Sequence, residues 1–166
     1  MILGMSIATF TLLHVALSLI GIVSGLVVLF GWLNGRSSDS WTALFLSTTV
    51  LTSVTGFLFP VGKLLPSHVV GIISLVALAV AIAALYAYHL AGSWRWIYIV
   101  AAVTALYLNV FVAVAQAFQK LPLLNALAPT QSEPPFAVSQ LVVLALFIAL
   151  GVIAARRFHP SVPAHA

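Results

Sequence analysis

The stretch from Ile7 to Trp32, IATFTLLHVALSLIGIVSGLVVLFGW, runs 26 residues without a charge. A helix crossing the ~30 Å hydrocarbon core of a bilayer needs about 20 apolar residues at ~1.5 Å each. This stretch meets that length. It is read as a retained first helix rather than a secretory signal. Such a signal opens with basic residues and carries only ~7–15 apolar ones, whereas Met1 to Met5 contains neither Lys nor Arg.

Working outward, four further stretches have the same character: Trp41 to Phe59, Ser67 to His89, Trp96 to Phe118, and Phe136 to Ala155. Asn34 to Ser40, Pro60 to Pro66 and Ala91 to Arg95 separate them and are polar or rich in helix breakers, as connections should be. The second stretch is dense in Thr, Ser and Val, which favour strands, but an open sheet edge in lipid leaves backbone groups unpaired. It is therefore read as a helix. The expected fold class is all-α: a polytopic integral membrane protein, a bundle of about five transmembrane helices with a proline-rich outer loop before the last. Residues 1–158 form one transmembrane domain, and 159–166 a disordered tail.

Composition agrees. Of 166 residues, 63% are hydrophobic and 5% charged, where a soluble domain carries roughly 25% charged residues. The net charge of +4 does not point to nucleic acid, because the cations are scattered through short connections and form no patch. The absence of cysteine excludes disulfides, thiol chemistry and cysteine-ligated metals. With no Asp or Glu inside a span, no carboxylate is available there for ion coupling. Phosphate-cradling glycine loops and a His-x-x-x-His metal helix are also absent from the sequence, and no internal repeat marks a transporter.

The cations set an expected orientation. Five spans place Lys63 and Lys120 on the N-terminal side and Arg36, Arg95, Arg156 and Arg157 on the other. The positive-inside rule makes the arginine side cytoplasmic, with the N-terminus out and the C-terminus in, in a cell (plasma or inner) membrane. Trp32, Trp41, Trp94, Trp96, Tyr86, Tyr88 and Tyr98 fall near the arginine side and read as an aromatic belt.

That belt serves as a ruler. His14 precedes Trp32 by 18 residues, roughly 27 Å, and His68 precedes Tyr88 by 20, roughly 30 Å. Both histidines reach the outer boundary at one depth, and Gln116, 20 residues after Trp96, arrives there too. Asn109 shares a helix face with Gln116 near mid-depth, and Glu133 belongs to the outer loop. His14, His68, Asn109, Gln116 and Glu133 are thus the candidate ligand-binding residues. No residue is assigned a catalytic role, and the chain reads as a binding protein more than an enzyme.

Two imidazoles at one depth suit several chemistries. They can ligate haem b iron from two helices, or a metal with Glu133 as third ligand, or hydrogen-bond a quinone. The bland alternative puts each ring at the interface in water. Similarly, Asn109 either floors an outer cavity or ties its helix to a Ser or Thr of a neighbour. The Thr48, Thr52, Thr55 and Gly56 stripe either lines a path or bonds carbonyls one turn back. His14, Ser18, Gly21 and Gly25 lie on one face of the first helix, and this small-xxx-small spacing turns His14 toward protein, inside the bundle or at a homodimer. His89, His159 and His165 read as interfacial. Leu121 to Pro135, with four prolines and an apolar half, is long for a connection and reads as a lid along the membrane surface. Three functions follow: a haem-, quinone- or metal-binding subunit with its site at the outer end, a small permeation unit, or an accessory subunit acting through other membrane subunits.

Overall fold

The computed structural model describes residues 1–60 and 66–159. Six α-helices follow in order: α1 (Ile7–Leu33), α2 (Asp39–Gly56), α3 (Pro66–Ile82), α4 (Trp94–Lys120), α5 (Pro122–Leu127) and α6 (Pro134–Arg157). No strand occurs among the described residues. The protein is an all-α, multi-pass membrane bundle. Four of its helices, all but α2 and the short α5, have the length and apolarity to cross a bilayer.

The sequence predicts a fifth span at 41–59; a helix stands there and runs back along α1 from the arginine end to the His14 end, but without the apolarity of the other four. The helix is only 18 residues long, and its eight Ser and Thr residues lower its hydropathy below that of its neighbours. It nevertheless packs along α1 more extensively than any other pair of helices in the bundle. Ser47, Thr48, Thr52, Ser53 and Thr55 each donate a hydroxyl proton to the carbonyl four residues back, at 2.6–2.9 Å. That internal bonding hides their polarity from an apolar surrounding.

The α1–α2 contact rests on two glycines. A Cβ at Gly21 would lie 3.0 Å from Thr49 Oγ1 and 3.2 Å from Asn109 Nδ2. At Gly25 it would lie 2.6 Å from Leu106 and 2.8 Å from the Phe45 ring. Close approach at these points brings α1, α2 and α4 together. α4 contacts α1, α2, α3 and α6 and is the most buried of the candidate spans, whereas α6 is the least.

The core occupies the half of the bundle nearer the arginines: Leu29, Phe45, Leu78, Ile99, Ala102 and Leu106 are buried. Trp32 and Tyr98, expected in the aromatic belt, are only 2% and 1% exposed. Their rings meet edge to face at 5.3 Å inside the bundle, so the belt consists of Trp41, Trp96, Tyr86 and Tyr88, all exposed.

Two connections hold structure that periodicity does not announce. The third span, expected to reach His89, leaves α-helical geometry earlier, passing into a π-helical turn over Ala83–Ala87. His89, Leu90 and Gly92 then take left-handed φ values of 47°, 57° and 53°, and the Leu90 N–H returns to the Ala84 carbonyl at 3.0 Å. The expected lid, Leu121 to Pro135, contains the short α5. Gln131 fastens it by donating from Nε2 to the Ala115 carbonyl of α4 at 2.7 Å. Lys63 and the tail from Pro160, used in the orientation and disorder expectations, lie outside the described residues, as does His165.

Candidate functional site

Three of the five candidate residues meet at a cavity of about 100 Å³ toward the end of the bundle opposite the arginines. His14 comes from α1, His68 from the first turn of α3, and Asn109 from the middle of α4. Ser18, Thr52, Ser53 and Ser74 add hydroxyls to its wall, and Phe57 an aromatic face. None of the described residues lining it is charged.

His14 is held by a defined hydrogen bond. Its Nδ1 lies 2.8 Å from Thr55 Oγ1, while that hydroxyl gives its own proton to the Leu51 carbonyl at 2.7 Å. A hydroxyl has one proton to donate, so His14 Nδ1–H is the donor to Thr55. In the neutral ring this leaves Nε2 as an acceptor. The ring also packs edge to face on Phe59 at 5.3 Å and passes over Gly56, where a Cβ would sit 3.7 Å from Cε1.

Asn109 finds the hydroxyl partner that an amide in hydrocarbon requires. Ser18 donates from Oγ to Asn109 Oδ1 at 2.9 Å, and Asn109 Nδ2 reaches back to the Ser18 carbonyl at 3.4 Å. Beside this pair, Thr49 Oγ1 is fully buried with no hydrogen-bond partner among the described residues. His68, 7% exposed, stacks on the Phe57 ring at 5.5 Å and 27°. Gly71, one turn on, makes room for Phe57, whose ring lies 3.0 Å from the Cβ position there. The Ser53 and Ser74 hydroxyls, 3.1 Å apart, join α2 to α3 at the cavity wall.

Gln116 and Glu133 do not join this group. Gln116 is exposed on α4 and lies outside the cavity lining. Glu133 serves its own loop: its carboxylate accepts from Thr130 Oγ1 at 2.8 Å, Thr130 N–H at 3.2 Å and Ser132 N–H at 3.1 Å. Desolvation raises the Glu133 carboxyl, but these hydrogen bonds outweigh it and hold it below its ordinary value. Glu133, expected as a third metal ligand beside two histidines, thus lies outside the cavity they line. Among the described residues, no group of three His, Cys, Asp or Glu side chains gathers to hold a metal ion.

The cavity is blind. On the arginine side of Asn109, Leu106, Phe45, Leu29 and Ile99 close the centre with almost no exposed surface, and Trp32 and Tyr98 pack beyond them. Its volume allows several waters but falls below the roughly 300–1,000 Å³ of pockets that enclose drug-sized ligands. A haem does not fit the cavity in this conformation. Sequence alone singles out His14, His68 and Asn109, whereas Ser53, Ser74 and Phe57 carry no signal that separates them from ordinary helix residues. No protein-family model, no curated protein and no solved structure matches this chain.

Proposed function

We propose that this protein is a membrane subunit that binds a small, uncharged, hydrogen-bonding ligand in the blind cavity, a quinone-type head group being the class that suits it best. The observation that carries this reading is the convergence of His14, His68 and Asn109, from three helices, on one cavity with no charged residue among the described residues of its lining. Imidazole and amide groups offer both donors and acceptors to a neutral carbonyl or hydroxyl. The Phe57 ring supplies a flat apolar wall, and such a mix of apolar surface with a few placed polar groups is the usual make-up of a ligand site.

A permeation role is the weaker reading. The α2 hydroxyls that would line a path bond carbonyls of their own helix, and below Asn109 the buried Ser24 hydroxyl likewise bonds the Ile20 carbonyl of its own helix, among Leu106, Phe45, Leu29 and Ile99. We assign no catalytic reaction. We place the protein in a cell membrane with the N-terminus and cavity end outside. The support is Arg36, Arg95, Arg156 and Arg157 at the opposite end.

The test uses a short-chain ubiquinone analogue and the full chain in lipid nanodiscs. Saturable binding to the wild type is expected, with loss of about tenfold or more in affinity in His14→Leu, since an unpaired polar group on the ligand costs roughly 1–3 kcal/mol. Absence of saturable binding, or binding unchanged by His14→Leu, overturns the reading. A haem band in the visible spectrum of the purified protein would replace it.

A further inference from the structure

A second hollow lies between α4 and α6, a groove of about 410 Å³. Val103 and Tyr107 of α4 and Leu144, Phe147 and Gly151 of α6 form its walls, and Arg156 stands at one end. From Leu144 to Arg156 is 12 residues of α6, roughly 18 Å of helix. That is about one leaflet's share of a ~30 Å hydrocarbon core. The groove therefore runs from the membrane boundary to near mid-bilayer, mostly apolar, with Thr104 and Tyr107 along it, and cationic at the boundary.

The arginines at this end differ in what they do. Arg95 donates to the carbonyls of Ala155 and Phe158 at the end of α6. Arg157 donates to the Leu33 carbonyl at the end of α1 at 3.2 Å. Both neutralise helix C-termini, so the end of α6 no longer repels an anion. Arg156 is exposed and donates to no group among the described residues. The first turn of α4, brought against the end of α6 by Arg95, has no side-chain cap and no acidic residue, and the positive end of its helix dipole adds potential at the same boundary.

We infer that this groove holds an acyl chain of one anionic glycerophospholipid, with the lipid phosphate on Arg156. A second copy of the chain is the poorer occupant. An isologous dimer about the membrane normal would bring two Arg156 side chains to one depth with no acid to separate them. The only acids in the chain are Asp39 and Glu133; Glu133 belongs to the opposite end, and Asp39, though at the arginine end, opens α2, which packs mainly on α1 and α3 rather than beside the groove. A lipid phosphate supplies the missing negative charge. The inference does not depend on which face is cytoplasmic, nor on the ligand of the outer cavity.

Native mass spectrometry of the full chain, released from micelles doped with phosphatidylglycerol or phosphatidylcholine, tests it. The wild type is expected to retain one phosphatidylglycerol in preference to phosphatidylcholine. Arg156→Gln, a surface change, should cut that preference roughly fivefold, the effect of one basic residue at an anionic headgroup. Val152→Trp, at an exposed position in the groove, should lower retention of both lipids with the charge intact. Equal retention of the two lipids by the wild type, a preference that survives Arg156→Gln, retention unchanged in Val152→Trp, or a dimer whose mass forms without lipid would each overturn the assignment.

Discussion

Asn109 carries an amide to the middle of a membrane helix, where water cannot satisfy it. Ser18 does so instead, through a 2.9 Å hydroxyl bond. The pairing requires Gly21, because a larger residue one turn further along α1 would meet both Thr49 and the amide. Ser18→Ala and Asn109→Leu should therefore be non-additive. A double-mutant cycle read by reversible unfolding is expected to give a coupling of about 0.6–1.7 kcal/mol, the range for polar pairs between membrane helices. Additivity within about 0.3 kcal/mol would mean the bond contributes nothing. At this scale the sequence is informative where a polar residue stands among apolar ones, since such a residue must find a partner. It says little about which partner. Ser18, Ser53 and Ser74 look alike as letters, and only helix rotation and register decide that Ser18 meets Asn109 while Ser53 meets Ser74.

Among the elements, the long helices follow from their apolar runs and the connections do not. Solvation by lipid makes helix nearly obligatory for an uncharged stretch of that length, and four of them carry the signal on their own. α2 is the intermediate case: its hydroxyls weaken the apolar signal, and its place comes from packing on α1. The π-helical turn at Ala83–Ala87 and α5 depend on tertiary contacts that no local period encodes. The loop preceding α6 makes its own prediction. Glu133 is below its ordinary value in the folded loop, so its ionised form stabilises that loop at pH above the group's unfolded titration range. The contribution is lost as pH falls from there through the lower folded value. Amide exchange at Thr130 and Ser132, whose N–H groups the carboxylate accepts, should quicken over that window relative to intrinsic rates. Glu133→Gln should remove the pH dependence. Exchange at Thr130 that follows only the intrinsic rate in the wild type would show that the carboxylate does not order the loop.

For the whole molecule, polarity is divided along the membrane normal. The end away from the arginines gathers His14, His68, Asn109 and the hydroxyls of α2 around a cavity, while the half nearer them is a close-packed apolar core. Part of this division can be read from sequence: counting residues along a helix gives depth, and depth alone brings His14 and His68 level. The same count brings Gln116 level with them, yet Gln116 faces away, because depth carries no information about azimuth. The blind end is equally invisible in one dimension, since Trp32 and Tyr98 read as interfacial anchors until the bundle shows them buried against each other.

The chain contains no cysteine, so single cysteines can report water access without interference. The most direct test of a blind cavity at the outer end is the labelling of Thr52→Cys and Leu106→Cys in intact cells by a small, charged, membrane-impermeant thiol reagent. Thr52 lines the cavity and Leu106 closes the layer beyond it. The account predicts labelling of Cys at position 52 from outside, and no labelling at 106 from either side. Labelling at both positions from outside, or at 52 only after the cytoplasmic face is exposed, would contradict it.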